Sequence, residues 1–108
     1  MEHHRSPAVW HVFCCEYTSA SKDKEKSVLT IVETYVNRLV ILTKNALCRT
    51  KSVVFISRIC GIHFQDFSSY YQCVITTNGE KISILCDATP ENKKKFDQLI
   101  ENLEKMIK

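Results

Sequence analysis

Glycine and proline are scarce, with two of each in 108 residues. That scarcity excludes a low-complexity linker and a collagen-like repeat, and no Gly-rich phosphate loop is present. Long apolar runs are missing too. Nothing approaches the roughly 20 residues that span a bilayer as a helix, and Met1-Glu2-His3-His4-Arg5 leads into no long apolar segment, so a cytoplasmic location is expected. Charge of one sign is equally absent. Fifteen Lys and Arg stand against twelve Asp and Glu, a net +3 with a pI near 8.5, which is below the usual basic footprint of a nucleic-acid binder. What remains is 44% hydrophobic and 25% charged, the composition of one globular domain. At this size folding buries roughly two-thirds of the unfolded surface, enough for one core and too little for a multi-domain enzyme.

Cysteine is the exception to this economy, with six in the chain. Cys14, Cys15, Cys48, Cys60, Cys73 and Cys86 lie mostly in apolar, β-branched stretches, and no secretory leader is in view to deliver them to an oxidising compartment. Free thiols packed in the core are expected, since a thiol behaves as a small hydrophobe. Zinc would want Cys-x2-4-Cys pairs with a second pair or a His-x3-5-His. No such spacing occurs, and no cofactor is expected.

Along the chain, residues 1–8 read as a mobile tail and 9–108 as one domain. Residues 9–17 are dense in β-branched and aromatic types and predict a strand. Residues 18–27 hold no large apolar side chain and predict an exposed loop. The stretch 28–43 supports two readings. Apolar residues at 28, 31, 32, 35, 36, 39, 40 and 42 fit a helical period after Ser27, whereas the wealth of Val, Ile and Thr suits a pleated surface. A hairpin turning at Val36-Asn37 would pair Val32 with Ile41 and Thr34 with Leu39, and composition favours it.

A polar, basic interruption at 44–52 precedes short strands at 53–56 and 59–64, with Gly61 marking a bulge. Residues 65–69 read as a turn. Residues 71–77 and 80–86, joined by Asn78-Gly79, predict a hairpin because that dipeptide accommodates positive φ. Its register places Tyr71, Cys73, Ile75, Ile82, Ile84 and Cys86 on one core-facing side. Thr89, Pro90 and Glu91 then start a helix as cap, first residue and first-turn acid. Phe96, Leu99, Ile100, Leu103, Met106 and Ile107 form its apolar stripe.

Strands closed by one amphipathic helix resemble the pleckstrin-homology-like superfold, in particular the small bacterial PH-like domains. The resemblance covers residues 35–107. Tyr35-Val36-Asn37-Arg38-Leu39-Val40-Ile41 is similar to the family's Tyr-x-Asn-Arg-hydrophobic turn, and residues 53–62, Val53-Val54-Phe55-Ile56-Ser57-Arg58-Ile59-Cys60-Gly61-Ile62, resemble its paired-isoleucine strands. The implied fold is α+β: an antiparallel sheet or partly open barrel of about seven strands closed by the C-terminal helix. An α+β sandwich with a second helix at 28–43 is the alternative.

The resemblance implies a non-enzymatic binding scaffold. The residues offer no Ser-His-Asp set, metal-ligand spacing or isolated carboxylate pair. A thiol nucleophile would need Cys14, Cys15 or Cys60 to meet His11 or His63 in an exposed, electropositive setting. Three roles follow. The first is protein–protein interaction through a sheet edge or the groove between sheet and helix. The second is binding of an anionic lipid headgroup by a basic turn at Lys44, Arg49 and Lys51. The third is a small phage or bacterial conflict-system inhibitor, suggested by size and compactness.

Overall fold

The computed structural model describes residues 9–18 and 27–107. The expected tail at 1–8 and most of the charged loop at 18–27 lie outside the described residues. The chain forms seven strands, β1 (His11–Tyr17), β2 (Val28–Thr34), β3 (Arg38–Lys44), β4 (Arg49–Phe55), β5 (Ile59–Asp66), β6 (Tyr70–Thr77) and β7 (Glu80–Asp87), followed by helix α1 (Pro90–Ile107). They make two antiparallel sheets, ordered β1-β2-β3-β4 and β5-β6-β7, so this small α+β domain holds no closed barrel.

Each sheet is a meander whose turns follow from local chemistry. The 28–43 stretch is a hairpin with Val32 opposite Ile41 and Thr34 opposite Leu39. The second-helix alternative is thereby overturned, because β-branched side chains lose χ1 freedom in a helix and pack well on a pleat. Gly79 has φ 102° in the β6–β7 turn. That turn sets Thr77 opposite Glu80, Ile75 opposite Ile82 and Cys73 opposite Ile84, the expected register. The interruption expected at 44–52 shrinks to the four-residue turn 45–48 between β3 and β4. Residues from Arg49 onward belong to β4 and pair with β3, because an edge strand facing solvent needs few apolar side chains. The chain leaves the first sheet through a 3-10 turn at Ile56–Arg58.

The core lies between the layers. The first sheet contributes Phe13, Cys15, Val32, Leu39, Ile41 and Val54, the second Cys73, Ile75, Ile84 and Cys86, and the helix Phe96, Leu99 and Leu103. Ile107, expected on the buried stripe, is exposed at the last described turn. Helix α1 starts as its sequence implies, with the Asn92 amide donating to Thr89 Oγ1 at 3.0 Å. Phe96 carries its first turns onto the sheets, contacting Phe13 and Phe64 edge-on at 6.0 Å between centroids and stacking on Tyr71 at 5.6 Å. The two sheets meet along β1 and β7. There the Cys15 thiol donates to the Leu85 carbonyl, and Thr18 donates its amide at 3.0 Å and its hydroxyl at 2.8 Å to the Asp87 carboxylate.

All six cysteines are free. Only Cys15, Cys73 and Cys86 are buried, while Cys14, Cys48 and Cys60 are exposed, which corrects the expectation that they pack in the core. Strand alternation explains Cys14, which must face away from its neighbour Cys15. Cys48 lies in the β3–β4 turn and Cys60 in a bulge.

Candidate functional site

Seven strands in two sheets leave four edges, and three of them are covered or protected. β1 and β7 face one another across the seam, and Lys95 of α1 donates to the Cys14 carbonyl on β1 at 3.2 Å. β4 carries Arg49 and Lys51, and charged residues on an edge discourage further strand pairing. β5 is different. Among the described residues it pairs only with β6, and its sequence Ile59-Cys60-Gly61-Ile62-His63-Phe64-Gln65-Asp66 holds no Lys, Arg or Pro.

The register shows what β5 presents. Ile62 pairs with Ile75 and Phe64 with Cys73. Because both partners are fully buried, Ile62 and Phe64 lean toward the core and helix, while His63 and Gln65 turn outward. The register shifts between Ile59 and Gly61, which leaves Cys60 as the extra residue of a bulge. Bulges bend a strand and re-aim its side chains. The Cys60 thiol donates to Asn78 Oδ1 at 3.1 Å.

Between β5 and α1 runs an apolar trough. At one end a cavity of about 140 Å³ is lined by Phe64, Tyr71, Phe96 and Ile100, with Gln65, Asp66, Lys93 and Asp97 at its rim. At the other end a depression of about 470 Å³ is bounded by Ile59, Gly61, Ile62, Phe64, Ile107, Cys60 and Glu104. Phe64 belongs to both, so they form one trough along the strand. The smaller end is below the 300–1,000 Å³ typical of small-molecule pockets. It suits a single side chain. Its walls are held by the Phe64, Tyr71 and Phe96 ring cluster, and the rim pair Lys93–Asp97 at 3.5 Å is solvent-exposed, where an ion pair contributes little.

Comparison of the chain with protein families, curated proteins and solved structures gives no match. The geometry therefore carries the argument.

Lys44, Arg49 and Lys51, read from the sequence as a basic turn, sit on strands. Lys44 ends β3 and faces Arg49 of β4, and Lys51 follows two residues along the same side. All three are exposed, and no hydrogen bond or ion pair engages their side chains among the described residues. The turn itself is Asn45–Cys48, closed by Asn45 Oδ1 accepting from the Leu47 and Cys48 amides at 2.8 Å each.

Cys15 and Cys86 lie together in the core, while Cys14, Cys48 and Cys60 are exposed on separate elements. Cys15 is buried, and its hydrogen bond with Cys86, followed by burial, pushes its thiol far above the ordinary range. Burial pushes Cys73 up to about 12. Such thiols stay protonated at neutral pH and lack the electropositive exposure of a nucleophile. Among the described residues no cluster of three His, Cys, Asp or Glu side chains is placed to hold a metal ion, and no helix is long and apolar enough to cross a membrane.

Sequence reasoning missed the trough residues Phe64, Tyr71 and Ile100. The missing Lys and Pro in 59–66 is a local signal, but it gains meaning only once that strand is known to be an edge.

Proposed function

We propose that the protein is a non-enzymatic binding module that takes an extended segment of a partner protein onto the free edge of β5, with the segment's side chains in the trough against α1. The observation that carries this reading is the unprotected β5 edge lying directly beside an apolar trough. Main-chain hydrogen bonds to a free strand provide affinity, and pockets for alternate side chains provide specificity. Seven antiparallel strands closed by a C-terminal helix support reading the fold as PH-like. The ligand is a peptide with apolar side chains two residues apart, one entering the cavity between Phe64 and Phe96 and the next covering Ile59 and Ile62.

A peptide library displayed on phage tests this directly. Selected peptides should protect β5 amides from hydrogen exchange, and Ile100→Asp should weaken them about thirtyfold or more, as loss of an interface anchor does, without loss of fold by circular dichroism. Failure to select any peptide, or binding that leaves β5 exchange unchanged, would overturn the reading.

One observation favours a second reading, binding of an anionic lipid headgroup. Lys44, Arg49 and Lys51 share one face and have no hydrogen-bond or ion-pair partner among the described residues. Replacing all three by Gln would then weaken binding to acidic vesicles by about 3 kcal/mol, at about 1 kcal/mol per basic residue. Wild-type protein that ignores acidic vesicles at low salt removes this reading.

A further inference from the structure

The side of the first sheet turned away from the core is not used by the trough, and its composition is unusual. An antiparallel sheet with one buried face ordinarily turns polar residues outward. Here Trp10, Val12, Val53 and Phe55 are 58%, 54%, 47% and 49% exposed. At their centre Val40 is buried although it lies outside the core cluster. The register makes the patch continuous. Val12, Glu33, Val40 and Val53 form one row across the four strands, and Cys14, Ile31, Leu42 and Lys51 form the next. A contiguous exposed apolar patch with a polar rim marks an interaction surface.

Charge on this face says what covers it. The acids Glu16 and Glu33 are on β1 and β2, while the bases Lys44, Arg49 and Lys51 are on β3 and β4. A face that is acidic along one half and basic along the other complements itself about a two-fold axis lying in the face along the strands. That rotation lays β1 over the second copy's β4 and β2 over its β3. Glu16, Leu29, Lys44 and Arg49 share one row, so Glu16 meets the second copy's Arg49. At the other levels Val12 meets Val53 and Ile31 meets Leu42, while Glu33 lies over Val40 and Cys14 over Lys51. The other in-plane axis, across the strands, would lay Lys44 over Arg38 and leave Glu16 without a cation.

We propose that the protein is a homodimer formed by face-to-face packing of its four-stranded sheets, with Glu16 of each copy paired to Arg49 of the other. Aligned packing of two such sheets is a standard arrangement, with side chains interdigitating over about 10 Å. Within one chain Glu16 and Arg49 are three strand spacings apart, about 14 Å. That exceeds the screening length of about 8 Å at physiological salt, so their charges communicate only between copies.

Sedimentation velocity from about 1 µM to about 500 µM, the range in which weak dimers dissociate, tests the proposal. Wild type should show a concentration-dependent dimer, and Val53→Asp should be monomeric with an unchanged circular dichroism spectrum. Glu16→Arg and Arg49→Glu should each weaken the dimer about tenfold, because a two-fold axis repeats every lost pair. The double variant should recover to within about threefold of wild type, the signature of direct pairing in a double-mutant cycle. A wild type that stays monomeric throughout overturns the proposal, and sedimentation of that monomer with phosphatidylserine vesicles would assign the face to a membrane surface instead. A double variant that dimerises no better than either single variant also overturns it.

Discussion

On the second sheet the side chains pointing away from the core are chiefly His63, Gln65, Gln72, Thr76, Lys81 and Ser83, with Val74 and Leu85 half-buried among them. The corresponding positions of the first sheet hold Val12, Cys14, Leu29, Ile31, Val40, Leu42, Val53 and Phe55 together with the charged residues Glu16, Glu33, Arg38, Lys44, Arg49 and Lys51. Both sheets are antiparallel meanders cut from one chain, and both bury their inner faces against the same core. The fold is therefore common to the two and does not explain the difference outside. The second sheet shows what water asks of a solvated face, and the apolar side chains that depart from that pattern on the first sheet are the ones the proposed dimer would cover.

The largest expected effect separates inside from outside on the first sheet. Phe13 is fully buried against Phe96, and Phe13→Ala should cost about 3–5 kcal/mol in chemical denaturation, the usual loss for a core phenylalanine. Phe55→Ala, on the outer face of the same sheet, should cost under about 1 kcal/mol when measured at concentrations where the chain is monomeric. Equal losses would mean that the outer face packs within the chain. The helix belongs with the inside: Leu99→Ala or Leu103→Ala should cost about 2–5 kcal/mol, because both side chains are fully buried.

A smaller effect lies at the seam where the two sheets meet. Asp87 holds Thr18 by two hydrogen bonds and is partly buried. Asp87→Ala should cost about 1.5–3 kcal/mol, the range for hydrogen bonds to a charged group. Hydrogen exchange should rise first at the end of β1 and the end of β7. Uniform loss of protection across both sheets would show that the seam opens only with global unfolding.

These contrasts also show which parts of the structure local sequence specifies. Both hairpins around Asn37 and Gly79, the bulge at Gly61 and the Thr89 cap were legible because each depends on a few adjacent residues and on backbone chemistry. The division into two sheets was not. Nothing in Phe55-Ile56-Ser57-Arg58-Ile59 distinguishes a turn within one sheet from a departure to another, since that outcome is set by where β1 meets β7, about 70 residues away in sequence. The trough was hidden for the same reason. Phe64 and Ile100 become neighbours only when the helix folds back over β5, and the sequence reading of Ile100 on a buried stripe is half right, because it packs against the core on one side and lines the trough on the other. Lys44, Arg49 and Lys51 were legible as a basic group, but their common face follows from a strand pairing that the basic residues themselves obscured.

The smallest effect concerns the polar groups on the inner side of the first sheet. His11 and Thr34 face one another across β1 and β2, and His11 Nδ1 and Thr34 Oγ1 are buried with no hydrogen-bond partner among the described residues. Burial pushes the His11 imidazole below its ordinary value of 6.5, since desolvation penalises the charged ring. The folded chain then releases this proton more readily than the unfolded chain. Below about 6.5 the unfolded state binds more protons, so stability is complete above that value and declines as pH falls toward the depressed folded value. His11→Asn removes the titrating group while keeping a polar side chain. Wild type should therefore lose more melting temperature than His11→Asn between about pH 7.5 and pH 5, a window in which most carboxylates stay ionised. Parallel curves for wild type and His11→Asn would show that the His11 imidazole is hydrated in the folded chain, and would remove it from the contrast between the two faces.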